Sequence, residues 1–122
     1  MTIEQQIRLI TEELIAKYGK GYIISIKELH EICYSRFYTA KRSIIPSDYC
    51  YNRVNRGINF QKQPHFFSFL GKGMYKCLGE NDLFSGEVYT RPKGETVDIK
   101  IGEWRKGILY PNANWGFYLD YD

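Results

Sequence analysis

Long apolar runs are missing from this 122-residue sequence. No stretch approaches the roughly 18 apolar residues that span a bilayer, so no membrane-crossing helix is expected. The opening Met1-Thr2-Ile3-Glu4 lacks the basic and apolar regions of a secretory signal, which points to a cytoplasmic protein. Cysteine is scarce. Cys33, Cys50 and Cys77 are odd in number and far apart, which suits a reducing compartment and argues against a disulfide framework. Zinc sites usually pair ligands at short spacing. Here there is no Cys-x-x-Cys, only His30 and Cys33 three residues apart, so buried thiols and no metal are expected. His30 and His65 are the only histidines, which leaves little for acid–base work at neutral pH. No Ser–His–Asp or Cys–His arrangement and no glycine-rich phosphate loop is apparent. No catalytic residue and no cofactor is therefore expected, and the chain reads as non-enzymatic.

Aromatic residues, by contrast, are abundant at 16%, with 11 Tyr, 7 Phe and 2 Trp. Rings bury large areas with few rotatable bonds, so a small core can be stable without cross-links. Charge is present but segregated. Residues 36–76 hold eight bases against one acid, a net +7, while the rest holds nine bases against thirteen acids, a net −4. Concentrated positive charge attracts polyanions, nucleic acid first among them. In the same stretch Phe37, Tyr38, Tyr49, Tyr51, Phe60, Phe66, Phe67, Phe69 and Tyr75 interleave with the bases. Two readings stay open there: a nucleic-acid surface, or core rings beside a solvated basic face.

Element by element, Ile3, Ile7, Ile10, Leu14 and Tyr18 recur at helical steps, opened by a Thr2–Gln5 capping box and stopped by Gly19 and Gly21. Tyr22 to Ile26 reads as a short strand. Ser25 and Glu28 then suggest a second capping box, opening a helix with Leu29, Ile32 and Cys33 inward. Pro46 suits the first turn of a third helix, and Gly57 its end. Cys50 and Val54 would face inward on that helix, leaving Asn52, Arg53, Asn55 and Arg56 outward. Two strand-like runs across Gly71-Lys72-Gly73 form a hairpin. Glu87 to Thr90 and Val97 to Ile101 form a second one around the turn Arg91 to Gly94.

The order helix, strand, helix, basic loop, helix, hairpin resembles a winged helix over residues 1–79. The resemblance implies an α+β fold, with three helices and a hairpin wing. Residues 80–122 would be a C-terminal β extension of the same domain, its strands packed on that core. The link from Arg36 to Ile45 exceeds the 3–4-residue turn typical of such units.

Asn and Arg are the usual readers of adenine and guanine edges in the major groove, so Asn52, Arg53, Asn55 and Arg56 are candidate DNA contacts. The alternative is that the asparagines brace turns and the arginines are solvated. Arg36, Lys41 and Arg42 are candidate phosphate contacts, as is Lys72 at the hairpin tip. Glu87, Asp98 and Lys100 loosely resemble the acid…acid-x-Lys pattern of a nuclease superfamily, although Val97, Ile99 and Ile101 also make a plain amphipathic strand. Trp104, Trp115, Phe117 and Tyr121 carry enough apolar area to require packing on the protein or on a partner.

The block Ile44-Ile45-Pro46-Ser47-Asp48-Tyr49-Cys50-Tyr51-Asn52, followed by Asn55-Arg56-Gly57, resembles a small domain of bacterial and phage genomes that sometimes accompanies restriction-type nucleases. This resemblance implies a DNA-linked role in conflict between phage and host. The expected function is binding of duplex DNA through the central basic region. The alternative is a small phage-type inhibitor, anti-CRISPR or anti-restriction. It would dock on a host defence nuclease with aromatic residues or with the acidic tail of Glu95, Glu103, Asp120 and Asp122. Sequence leaves the oligomeric state open.

Overall fold

The computed structural model describes residues 1–119; Asp120, Tyr121 and Asp122, which figured in the expected acidic and aromatic tail, lie outside the described residues. The first helix, α1, spans Ile3–Tyr18, and its capping box forms as expected: Gln5 N–H donates to Thr2 Oγ1 at 3.1 Å, and Thr2 N–H to Gln5 Oε1 at 2.8 Å. Strand β1, Ile23–Ser25, leads directly into α2, Ile26–Phe37. Ser25 Oγ accepts from Glu28 N–H at 3.0 Å, whereas the Glu28 carboxylate accepts from Tyr22 Oη at 2.9 Å. The second box is thus half made. Leu29 and Cys33 are buried and Ile32 packs beside them. Among the described residues no helix is long and apolar enough to cross a membrane.

The expected third helix is absent. Residues Pro46–Tyr49 make a single 3-10 turn, and the chain then runs extended. Its backbone bonds go to distant strands: Tyr51 N–H donates to Phe67 O at 2.8 Å, Val54 N–H to Tyr89 O at 2.9 Å, and Tyr89 N–H to Asn52 O at 3.1 Å. Asn, Tyr and Val are mediocre helix formers, so these long-range partners outweigh a helix here. Short 3-10 turns also occur at Lys41–Ser43 and Phe60–Lys62.

Both expected hairpins form. Strands β2 (Phe67–Gly71) and β3 (Met74–Cys77) join through Lys72 and Gly73, at φ 52° and 72°. Positive φ at both central residues marks the tight hairpin turn whose twist matches its strands. With β1 they make one antiparallel sheet, ordered β1-β3-β2. Strands β4 (Gly86–Thr90), β5 (Ile99–Arg105) and β6 (Ile108–Pro111) make a second, ordered β4-β5-β6. The architecture is mixed α+β with two small antiparallel sheets.

Two hydrophobic clusters result. The first gathers Ile7, Ile10, Ile24, Leu29, Cys33, Phe66 and Phe67 between the helices and the first sheet. The second gathers Val54, Phe60, Val88, Ile101 and Trp115 on the second sheet. The extended segment from Cys50 to Phe60 links them. Cys50 belongs to the first cluster, Val54 and Phe60 to the second, and Trp104 Nε1 donates to Tyr51 O at 2.7 Å.

Candidate nucleic-acid interface

Without a third helix the four residues expected on its outer face lose that common face. Asn52 braces β2: its Nδ2 donates to Phe69 O at 2.9 Å, and Phe69 N–H donates to its Oδ1 at 2.8 Å. Asn55 Nδ2 donates to Ser47 Oγ and to Asp48 Oδ1, both at 2.8 Å, closing the turn that Pro46 opens. Arg53, with its side chain 15% exposed, pairs with Asp98 at 3.1 Å and lies over the Phe69 ring. Arg56 alone of the four is exposed. Asn52 and Asn55 therefore brace the fold, as the alternative reading had it, whereas Arg53, which that reading left solvated, is packed and ion-paired.

The remaining bases divide. Arg36 is engaged by Glu13, with Nη2 to Oε1 at 3.3 Å, and lies over the Phe37 ring. This hydrogen-bonded guanidinium holds the Glu13 carboxyl below its usual range. Lys41, Arg42 and Lys72 instead stand exposed. The fold brings the hairpin tip to the start of α2, where Ile26 N–H donates to Gly73 O at 2.8 Å. From that point an open groove of about 750 Å³ follows α2, lined by Ile26, Lys27, His30, Tyr34, Lys41 and the single acid Glu31, with Ala40 at its edge. The His30 ring nitrogen Nε2 lies 2.8 Å from Ile44 O and ties the Lys41–Ser43 turn to the helix. Lys27 and Lys41 line this groove, Arg42 follows Lys41 in the same turn, and Lys72 precedes Gly73 at the hairpin tip. Lys27 lies outside the basic stretch of the sequence; strand pairing brings the turn that holds Lys72 to the start of α2. Tyr34 and Tyr38, exposed at 63% and 84%, complete this face.

A second concavity, about 400 Å³, opens where the two clusters meet. Tyr51, Phe60, His65 and Trp104 wall it, and the His65 ring stacks on Phe60 at 4.2 Å between centroids. Burial pulls the imidazole down to about 4, against the opposing pull of the Phe60 and Cys50 backbone, so it is neutral at pH 7. The acid…acid-x-Lys trio does not converge. Lys100 pairs with Glu87 at 3.0 Å, while Asp98 pairs with Arg53 and Arg91. The three cysteines are buried and free, and burial pushes the Cys33 and Cys77 thiols up to about 11 and 12. Among the described residues no three His, Cys, Asp or Glu side chains are grouped to hold a metal ion.

Comparison with known proteins adds relatives but no assigned chemistry. No solved structure matches the chain. An uncharacterized protein of Bacillus subtilis strain 168, YnaC, is 38% identical over 108 residues, covering 88% of this chain but 38% of YnaC. The chain thus spans little more than a third of the length of the curated relative it matches. A family model matches residues 2–110, from the cap of α1 to β6, and the chain belongs to that family, described as a domain of unknown function, DUF7225.

Proposed function

We propose that this chain is a non-enzymatic, cytoplasmic nucleic-acid-binding protein that holds phosphates through Lys27, Lys41, Arg42 and Lys72. The observation that carries this reading is the Ile26–Gly73 hydrogen bond, which sets the hairpin tip beside α2. Three separate stretches of sequence then present positive charge together. The first half reads as winged-helix-like, with β2–β3 as the wing and a 3-10 turn in the place of the third helix. Such a module has lost its reading helix. Phosphate contacts remain, and these fix position without reading sequence. Binding is therefore expected to be tolerant of sequence and steeply dependent on salt, because each neutralised phosphate releases counterion.

Titration of labelled DNA at several salt concentrations tests this. Lys41→Gln, Arg42→Gln and Lys72→Asn together should lower the slope of log affinity against log salt by about 3, at roughly 0.9 per duplex phosphate contact. No binding at low salt, or an unchanged slope in the triple variant, defeats the proposal.

A second reading, an inhibitor docking on a host defence nuclease, is favoured by one observation. Leu83 and Ile108 stand exposed at the β5–β6 turn, where a Leu83 methyl lies 3.3 Å from the position of a Cβ on Gly107. If this reading holds, the chain should protect phage DNA in cells that carry a restriction system, and Leu83→Asp should abolish that protection.

A further inference from the structure

Tyr34 and Tyr38 are exposed, adjacent and unused by the core. Two other exposed rings are engaged elsewhere: Tyr18 stacks on Tyr22 at 4.6 Å, and Tyr110 lies under the Arg105 guanidinium at 4.5 Å; exposed Phe117 lies far along the chain, in the tail beyond β6. Tyr34 and Tyr38 meet each other, edge to face at 6.4 Å. The backbone holds them outward. Tyr38 caps α2 in the left-handed conformation, φ 57° and ψ 27°, where glycine is the usual residue, and its N–H donates to Tyr34 O at 2.9 Å. A bulky ring at such a position is costly and adds nothing to the clusters beneath.

The pair stands at the basic groove. Tyr34 lines it together with Lys27 and Lys41, and Arg42 follows Lys41 in the same turn. Exposed rings flanked by mobile bases are the usual equipment for holding unpaired nucleotides: every base has a face to stack, and its phosphate lies within reach of a cation. Bases of a duplex are already stacked and cannot reach these rings. We infer that Tyr34 and Tyr38 form a stacking platform, and that the strand held on this face is single-stranded DNA. This rests on the nucleic-acid reading above and narrows it to unpaired strands. The groove sets Lys27, His30 and Lys41 among Ile26, Tyr34 and Ala40, and the oligouridine arm of the test below decides between DNA and RNA. Glu31, the one acid of the lining, opposes the phosphates.

Fluorescence anisotropy with four probes tests the inference: an oligothymidine of about 12 nucleotides, its abasic counterpart, an oligouridine and a duplex. The wild-type chain should bind oligothymidine on the order of tenfold more tightly than the abasic strand, a difference set by stacking. Tyr34→Ala with Tyr38→Asn should erase that difference and leave duplex affinity unchanged. Tyr34→Phe should keep it, and Glu31→Gln should tighten binding of every strand. Equal affinity for oligothymidine and abasic strands overturns the platform while leaving phosphate binding intact. Tighter binding of oligouridine overturns the assignment to DNA. Failure to bind any of the four overturns the underlying reading as well.

Discussion

A side-chain amide matches a base edge and a peptide equally well, and Asn52 shows what decides between them. Its two hydrogen bonds to the Phe69 backbone stitch the extended segment to β2. From sequence the pattern Asn-Arg-x-Asn-Arg is legible as polar and basic, but not as inward or outward. That depends on where Phe69 arrives, seventeen residues later. Asn52→Ala should lower stability by about 1–3 kcal/mol, because a partly buried peptide loses both partners. Thermal melting would show this beside an unchanged affinity for DNA. His65 gives a second prediction at this scale. Its folded value of about 4 lies below the ordinary 6.5, so protons favour the unfolded chain. The contribution is fully present above pH 6.5 and is lost as pH falls from 6.5 towards 4. By pH 5 the loss should amount to about 2 kcal/mol. Wild-type protein should therefore lose more melting temperature between pH 7 and pH 5 than His65→Phe, whose ring keeps the stack on Phe60. Equal losses would show that the imidazole titrates normally. Asp48, held above its usual range by burial, acts in the opposite sense but equally in both proteins.

Elements that obey a local rule were legible. The helical repeat of Ile3, Ile7, Ile10 and Leu14 with its Thr2 cap, the Ser25 cap of α2, and Gly71-Lys72-Gly73 between two β-prone runs all lie where the sequence points. The segment from Pro46 to Gly57 was misread for a definite reason. Proline at its start and glycine at its end do fit a helix, but its peptide groups find partners on β2 and β4, which no local pattern reveals. Sheet order was equally hidden, since β1 pairs with β3 some fifty residues away. At this scale the hairpin tip makes a sharp comparison. Gly73→Ala meets both φ 72° and Ile26 Cγ2 at 3.2 Å, whereas Gly71→Ala meets only φ 89° in open space. Each should cost about 1 kcal/mol of backbone strain. Gly73→Ala should in addition push the tip away from α2 and weaken DNA binding. Melting curves paired with anisotropy separate the two; equal affinity in both variants would show that the tip and α2 need not touch.

For the whole molecule the decisive fact is that residues 50–60 belong to both hydrophobic clusters. Trp115 is buried, and Trp104 is half-buried and bonded to Tyr51, so the apolar weight of the tail is spent inside; Phe117 remains exposed. Deleting residues 103–122 would strip β6 and Trp115 from the second cluster and expose Val54 and Phe60. Because those two continue directly from Cys50, the truncated chain should lose the cooperative unfolding of the first cluster too. Circular dichroism melting checks this. A truncation that still melts sharply near the wild-type temperature would show that the two clusters stand independently.

All three thiols sit in the first cluster, buried and with their ionisation suppressed, while the second cluster has none. An electrophile in solution reacts with thiolate, so alkylation must wait for the first cluster to open. The chain therefore carries a built-in clock for one half of itself. The rate at which iodoacetamide consumes its cysteines reports openings around Cys33, Cys50 and Cys77, without any label being introduced. If disturbing Trp115 on the far sheet quickens that clock, the two halves breathe together.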